Sequence, residues 1–410
     1  MSLIVQKYGG TSVGSIQRIR NVAARAVAAQ RAGNQVVVTV SAMSGETNRL
    51  VALVDELSGG NYSQREYDVV VATGEQVSTG LLAIAIESMG VPARSYQGWQ
   101  VRFVTDGVHA KARILDVEAD NIRRDLNEGR IVVVAGFQGV NDQNAVTTLG
   151  RGGSDTSAVA LAAALQADFC DIYTDVDGVY TTDPRVVPKA RKLERVSYEE
   201  MLEMASLGAK VLQTRSVELA KKYKVLSSLE EGTGTLLTEE DEVMEQVVVS
   251  AIAFNRDEAK ITVLGVPDKP GIAASIFGTL ADANINVDMI VQNISASSGD
   301  TDVTFTVAKG DFKQALAVLK DPVANMGARD VLGDPDIAKV SVVGVGMRSH
   351  SGVAQRMFKA LSADGINIRM IYTSDIKISV VIDEKYMELA VRSLHQAFEL
   401  DKDSGDRVRG

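Results

Sequence analysis

Cysteine and histidine are scarce in this chain, and long apolar runs and an excess of positive charge are missing. Each absence excludes a class of function. A single cysteine, Cys170, allows no internal disulfide, which fits a reducing compartment. Cys170 lies between Ala167 and Ile172, the setting of a small buried residue rather than a thiol nucleophile. With 3 histidines, a histidine-built metal site is not expected. No run approaches the roughly 20 apolar residues that span a bilayer. The chain opens on a strand-like Leu3-Ile4-Val5, without the basic region, apolar stretch and small-residue cleavage site of a secretory leader. A cytoplasmic protein is expected. The net charge of −10 argues against nucleic acid and anionic membrane as partners, so any phosphate site must be locally basic.

What remains is the composition of a globular protein, 45% hydrophobic and 23% charged, over 410 residues, enough for two or three domains. The first half alternates strands and helices. Strands are expected over 3–6, 35–40, 131–135 and 171–174, and helices over 15–32, 78–89 and 155–164. Apolar strands alternating with helices predict a largely parallel sheet covered on both faces. Loops at Gly9-Gly10, at 41–45 and at 136–139 follow strands, where ligands of open α/β sheets sit.

A glycine- and acid-rich stretch near 230–245 marks a boundary, and an internal repeat follows it. Ile261-Thr-Val-Leu-Gly-Val matches Val340-Ser-Val-Val-Gly-Val, and Ile285-Asn286-Val287 matches Ile366-Asn367-Ile368. Each copy reads βαββα, and the first gains a last strand near 328–332. The second lacks that strand, while 247–254 reads as a strand without a sheet. The expected division is a catalytic domain over 1–229, a linker over 230–246, a second repeat built from 247–258 plus 334–400, and a first repeat, 259–333, inserted within it.

Three segments carry candidate chemistry. Lys7-Tyr8-Gly9-Gly10-Thr11-Ser12-Val13-Gly14 places two glycines and a helix start after a strand, which suits phosphate, but the Walker lysine is absent and Lys7 precedes the glycines. On this segment alone a solvated lysine and a phosphate-binding one both remain open. Leu149 to Ser157 is a glycine-rich loop entering a helix. Ser154 and Asp155 suit helix caps, yet capping does not account for three glycines around Arg151, whose planar fork matches a carboxylate or phosphate. Tyr173 to Arg185 is rich in Asp, Gly and Pro. It is not an EF-hand, because Pro184 holds the terminal glutamate position. Its aspartates suit either a turn or a Mg²⁺ or ribose contact. Glu75 falls just ahead of the helix expected from Ser78, where a helix dipole favours it in any case.

Taken together, KYGGTSVGS, VSAMSGETNRL, ATGEQVSTGLLA, TLGRGGSDTSAVALAAAL and YTDVDGVYTTDPR resemble the aspartate kinases of the amino-acid kinase fold. The resemblance extends through Glu199 to Ala205 and Gly208 to Leu212, and the repeat resembles paired ACT domains, ferredoxin-like βαββαβ modules that bind amino-acid effectors, in Val266 to Gly271 and Asn286 to Asn293. It implies transfer of the γ-phosphoryl group of ATP to L-aspartate, giving 4-phospho-L-aspartate, at the head of lysine, threonine and methionine biosynthesis. It also implies roles: Lys7 on the β/γ-phosphates, Gly9 and Gly10 around phosphate, Ser41 and Thr47 facing the reacting groups, Glu75 on the substrate ammonium and Arg151 on its α-carboxylate. Gly153, Ser154 and Asp155 complete the substrate pocket. Tyr173, Thr174, Asp175, Tyr180, Asp183 and Arg185 line the nucleotide, with Lys210 at its edge. The acceptor carboxylate has a reference pKa of about 3.9, so no general base is needed, and Mg²⁺ with lysine and backbone amides suffices.

The same resemblance implies feedback inhibition by lysine, threonine or both. Asp268, Ala273, Asp288 and Gln292 are candidates for one effector site, and Val353, Ala354, Asn367, Thr373 and Ser374 for the other, although turn and cap roles compete for the second set. Effector sites between paired ACT sheets imply a homo-oligomer, or a hetero-oligomer with a short regulatory subunit started near Met244. One departure stands out: Leu226 leads directly to Ser227-Ser228 where the family has a longer apolar strand, so either a shortened sheet edge or a loss of residues at this point is expected. Rival readings are a glutamate, acetylglutamate, carbamate or UMP kinase, which generally lack a doubled ACT tail, and an inactive amino-acid sensor, against which Lys7, Glu75, Arg151 and Asp155 together argue. No GxGxxG follows a strand to support a dehydrogenase.

Overall fold

The computed structural model describes residues 1–207, 212–223, 227–228, 234–241, 244, 246–294 and 300–402. They form two compact units, Met1–Val179 with Lys192–Ser206 and Lys210–Asp241, and Tyr180–Arg191 with Leu207–Ala209 and Glu242–Gly410.

The first unit runs β1 (Leu3–Tyr8), α1 (Ile16–Arg31), β2 (Gln35–Val40), α2 (Glu46–Ser58), α3 (Gln64–Val71), α4 (Thr73–Glu87), β3 (Ala93–Tyr96), β4 (Phe103–Thr105), β5 (Ile114–Val117), α5 (Asp120–Asn127), β6 (Ile131–Ala135), β7 (Gln138–Val140), β8 (Val146–Thr148), α6 (Gly153–Leu165), β9 (Phe169–Tyr173), β10 (Arg195–Ser197), α7 (Tyr198–Ser206), α8 (Thr214–Tyr223), β11 (Ser227–Ser228) and β12 (Leu236–Thr238). Its main sheet has the order β10-β12-β11-β9-β1-β2-β6-β3. The central pairs β9–β1, β1–β2, β2–β6 and β6–β3 are all parallel. All five residues of β6 are buried, as a strand covered on both faces requires. Helix α1 is capped by Ser15, whose side chain accepts from Arg18 N, and it buries Ile19, Val22, Ala23, Ala26 and Val27 at helical spacing.

Two expectations need correction, and one sheet was not expected at all. The helix foreseen from Ser78 starts at Thr73 and continues from α3 through Ala72, which keeps helical angles. Gly74, in its first turn, leaves room for a neighbour: a Cβ there would come within 2.8 Å of the Ala42 Cβ. The resulting helical stretch Gln64–Glu87 is long and apolar enough to cross a membrane, but half of it is buried and it carries the buried Asp68 and Glu75, so it is a core helix pair. Ser227-Ser228 is no sheet edge: β11 lies between β9 and β12, and β10 is the edge. The second, four-stranded sheet, β5-β4-β7-β8, went unforeseen because its strands hold only three or four residues.

The second unit contains β13 (Ala251–Asn255), β14 (Glu258–Pro267), α9 (Ile272–Asp282), β15 (Val287–Ile294), β16 (Asp300–Ala308), α10 (Phe312–Asn325), β17 (Asp330–Asp334), β18 (Ile337–Val343), α11 (Val353–Ala363), β19 (Met370–Ser374), β20 (Lys377–Asp383) and α12 (Met387–Ala397). Two four-stranded antiparallel sheets result, β15-β16-β14-β17 and β13-β18-β20-β19. Strand β13 pairs with β18, Ala251 opposite Val343 through Asn255 opposite Lys339. A strand that precedes the first repeat in sequence therefore closes the sheet of the second. Residues 180–191, counted with the catalytic half from sequence, also pack here. Val187 joins Ile252, Val340 and Leu394 in one buried cluster, and Ile252 N donates to Thr181 O at 2.7 Å. Burial of that valine gives the segment its place.

Candidate active site

Strands β1, β2 and β6 end side by side, and each is followed by a loop that opens onto one cavity of about 370 Å³. Lys7, Gly9 and Gly10 reach it from β1, residues 41–45 from β2, Thr47 and Asn48 from the first turn of α2, Glu75 from α4, Phe137 from the loop after β6, and residues 150–155 from the start of α6. Two helix starts, those of α2 and α6, thus present backbone N–H groups to the same space.

The loops are knitted closely. Ser44 N donates to Gly10 O at 3.1 Å, and a Cβ on Gly10 would stand 2.8 Å from Ala42 O. That contact is backbone against backbone, so only glycine fits. The cap of α6 is Gly152 in the left-handed region, φ 74°, rather than Ser154 or Asp155, which fall inside the first turn. A Cβ on Gly152 would overlap the Gln213 side chain.

Lys7 is nearly buried, and its Nζ lies 2.5 Å from Asp155 Oδ1. The lysine read as ambiguous is therefore held at the cavity wall by a carboxylate. Glu75 is 3% exposed. Its Oε1 accepts from Ala42 N at 3.0 Å, while Oε2 has no partner among the described residues. Burial pushes the Glu75 carboxyl up to about 7, with the Ala42 N–H pulling the other way. Arg151 is exposed on its loop and makes no ion pair with a described residue. Apart from Lys7, the cavity wall thus offers one guanidinium and one orphaned carboxylate oxygen, the pair that an α-amino acid would satisfy.

Of the residues expected in the site, Lys7, Gly9, Gly10, Ser41, Thr47, Glu75, Arg151, Gly153, Ser154 and Asp155 all line this cavity. Met43, Ser44, Asn48 and Phe137 line it as well and were not singled out, though the polar loop after β2 was the available signal. Tyr173 does not present its side chain to the cavity. Its ring is buried against Tyr8, stacked at 4.5 Å, with the Arg25 guanidinium 5.3 Å from its centroid. Its backbone carbonyl instead lies 3.9 Å from where a Gly9 Cβ would be. Thr174 and Asp175 follow β9 and are bonded to each other at 3.0 Å. Tyr180, Asp183 and Arg185 belong to the second unit, where Arg185 forms a forked pair with Asp183 that holds the Asp183 carboxyl below its ordinary range. Lys210 lies outside the described residues.

Among the effector candidates, Asp268, Ala273, Asp288 and Gln292 are all exposed. Asp288 is ion-paired with Lys339, which also meets Glu258 at 2.5 Å. Asn367, Thr373 and Ser374 are exposed, but Val353 is a core residue of the second repeat and offers no side chain to a ligand. Among the described residues no three acidic, histidine or cysteine side chains cluster, and Glu75 and Asp155 are the carboxylates of the cavity wall. That donor set suits a Mg²⁺ carried on nucleotide phosphates and water, not an all-protein cage.

Comparison with known proteins agrees with this architecture. The amino acid kinase family model matches residues 2–227, and an ACT domain model matches 261–322 and 340–398. An aspartate kinase of Stutzerimonas stutzeri is 61% identical over 411 residues, covering 99% of both chains. An aspartokinase of Pseudomonas aeruginosa is 61% identical over 407 residues, 98% of both. Among solved structures, E. coli aspartokinase III in complex with aspartate and ADP superposes with a TM-score of 0.81 at 27% identity, covering 96% of this chain and 99% of that one. The same enzyme with lysine and aspartate gives 0.76 at 27% identity, over 97% and 99%.

Proposed function

This chain belongs to the aspartate kinases of the amino acid kinase family, and we propose that it moves the γ-phosphoryl group of ATP to the β-carboxylate of L-aspartate in the cavity at the ends of β1, β2 and β6. One observation carries this reading: the Oε2 of Glu75 and the Arg151 guanidinium, both without a partner among the described residues, share a cavity wall with Lys7. Glu75 takes the substrate ammonium and Arg151 its α-carboxylate, leaving the side-chain carboxylate directed at the phosphates. The acceptor is already ionised at neutral pH, so no proton needs to be removed. Lys7, oriented by Asp155, neutralises charge that builds on the β/γ-phosphates, and Gly9 and Gly10 bring backbone N–H groups close to them. Ser41 and Thr47 face the reacting groups, and Gly153 and Ser154 complete the substrate pocket. Mg²⁺ bound to the nucleotide would offset further phosphate charge. Thr174, Asp175, Tyr180, Asp183 and Arg185, with the Tyr173 carbonyl and Lys210, are assigned to the nucleotide.

The ACT pair is assigned to feedback inhibition by lysine, threonine or both, through Asp268, Ala273, Asp288 and Gln292 in the first repeat and Ala354, Asn367, Thr373 and Ser374 in the second. The lysine complex of the E. coli relative supports this assignment. A cytoplasmic oligomer is proposed, with the first unit, which takes in β12 (Leu236–Thr238) from the foreseen linker and gives up 180–191, as catalytic domain and the two repeats of the second unit as the regulatory pair. The test is Mg²⁺-dependent ADP release with aspartate or glutamate as acceptor, with and without lysine and threonine. Turnover on aspartate alone, suppressed by one of these amino acids, is the expected result. Equal turnover on glutamate would overturn the acceptor assignment, and indifference to both amino acids would overturn the effector assignment.

A further inference from the structure

Helix α3 carries a charge that neither the fold nor the proposed chemistry accounts for. Asp68 is fully buried. Its carboxylate accepts from Ala110 N at 3.1 Å on both oxygens, from Thr148 Oγ1 at 2.5 Å, and from His109 Nδ1 at 2.7 Å. Packing alone would be served by an apolar side chain, since burying a carboxylate is expensive unless its acceptors are fully used. Here they are used, and every donor comes from the segment around residue 109 or from β8.

Those two places support the arginine loop. Thr148 is three residues before Arg151. Ala110 has φ 63°, a left-handed conformation that an alanine seldom adopts. The two hydrogen bonds from its N–H hold it there. Its carbonyl then lies 3.0 Å from where a Cβ on Gly150 would be, directly against the residue preceding Arg151. Ala112 N donates to Thr148 O at 2.9 Å and closes the arrangement. At its other end, α3 runs through Ala72 into the first turn of α4, which holds Glu75. The Gln138 side chain fixes that junction by donating to Ala72 O at 2.9 Å. One short rigid helix is thus tied to the Arg151 loop through Asp68 and continuous with the turn bearing Glu75.

We propose that Asp68 is a positioning residue that fixes where Arg151 and Glu75 hold the amino-acid head group, and so how far the acceptor's side-chain carboxylate reaches towards the phosphates. Aspartate and glutamate differ by one methylene, and burial of a methylene alone discriminates only weakly. A fixed distance between the amino-acid clamp and the phosphates discriminates more strongly, because misplacement by about 1 Å costs on the order of 10²-fold in rate. The inference rests on the reading of Glu75 and Arg151 as that clamp.

The test is steady-state kinetics of the full chain with Asp68→Asn, which keeps the volume but turns one acceptor into a donor facing donors. KM for aspartate is expected to rise about tenfold or more, KM for ATP to stay within about twofold, and the kcat/KM preference for aspartate over glutamate to narrow. A merely structural role lowers the active fraction and leaves KM where it was. His109→Asn, which keeps an N–H donor near the Nδ1 position, is expected to behave like the parent, and His109→Ala to shift KM in the direction of Asp68→Asn. If Asp68→Asn does not fold, Thr148→Val removes a single donor and should raise KM for aspartate about threefold. An unchanged KM for aspartate in whichever of these two variants folds overturns the proposal. Arg151→Ala separates the two readings. If it raises KM for aspartate while Asp68→Asn does not, the positioning role fails and the clamp stands. If it leaves KM unchanged, the clamp fails and the proposal falls with it.

Discussion

Glu75 gives the site a pH dependence with a definite sign. Burial lifts its carboxyl to about 7, above the ordinary value of 4.5, so the free protein holds a proton there in mildly acid solution. The aspartate ammonium needs the ionised form. The kcat/KM for aspartate should therefore fall about tenfold between pH 8 and pH 6, following one ionisation near 7. A pH profile checks this, and Glu75→Gln should flatten the limb at a much lower level. The same shift has a stability consequence. A native pKa above the unfolded one means the native state is favoured at low pH, and this contribution is lost as pH rises from about 4.5 to 7. Glu75→Gln is accordingly expected to melt higher than the parent at pH 8, a gain of stability at a functional residue. Lys7 behaves in the opposite sense. Lys7→Met leaves the buried Asp155 without its cation, so it should lower both the melting temperature and kcat, the latter by about 10²–10³-fold.

Among elements, the close approach of the loops after β1 and β2 decides what the site tolerates. Gly10→Ala drives a Cβ onto the Ala42 carbonyl, and since backbone cannot step aside as a side chain can, it should cost about 1–3 kcal/mol in denaturant titration and reduce turnover. Such glycines were visible in the sequence as glycines, but the partner they make room for was not, because Gly10 and Ala42 are joined only by the pairing of β1 with β2. The long apolar strands β1, β2, β6 and β9 and the helices α1 and α6 were legible for the opposite reason: their periodicity is local. Short β4, β5, β7 and β8 carry too few residues for any period to show, and α3 hides in a polar-faced segment whose buried Asp68 reads as surface. The place of the Tyr173 ring was not legible, because an aromatic at a strand end gives no sign of facing the core. Its stacking on Tyr8 depends on Ile4–Tyr8 lying beside Phe169–Tyr173 in the sheet.

For the molecule as a whole, chain order and fold order differ in two places. Residues 180–191 leave the first unit and pack on the second repeat, and nothing in the Asp- and Pro-rich motif announces that Val187 is core there. The leftover strand was readable, because counting the strands of each repeat leaves one sheet incomplete and one strand without a sheet. Its position makes a sharp prediction about fragments. A polypeptide of residues 244–410 retains β13 and hence both four-stranded sheets, so it should fold cooperatively and show native-like dichroism. It lacks 180–191, which leaves Ile252 N and part of the Val187 cluster uncovered, so it should be less stable than the same region in the intact chain. A polypeptide of residues 258–410 differs by little in length but loses β13, exposing the β18 edge with its buried Val340 and Val342. An unpaired apolar edge next to a core is an aggregation site, so this fragment should precipitate or bind dye as a loosened state. If both fragments melt with the same midpoint, β13 contributes nothing to the second sheet and the interleaving of the repeats has no energetic weight.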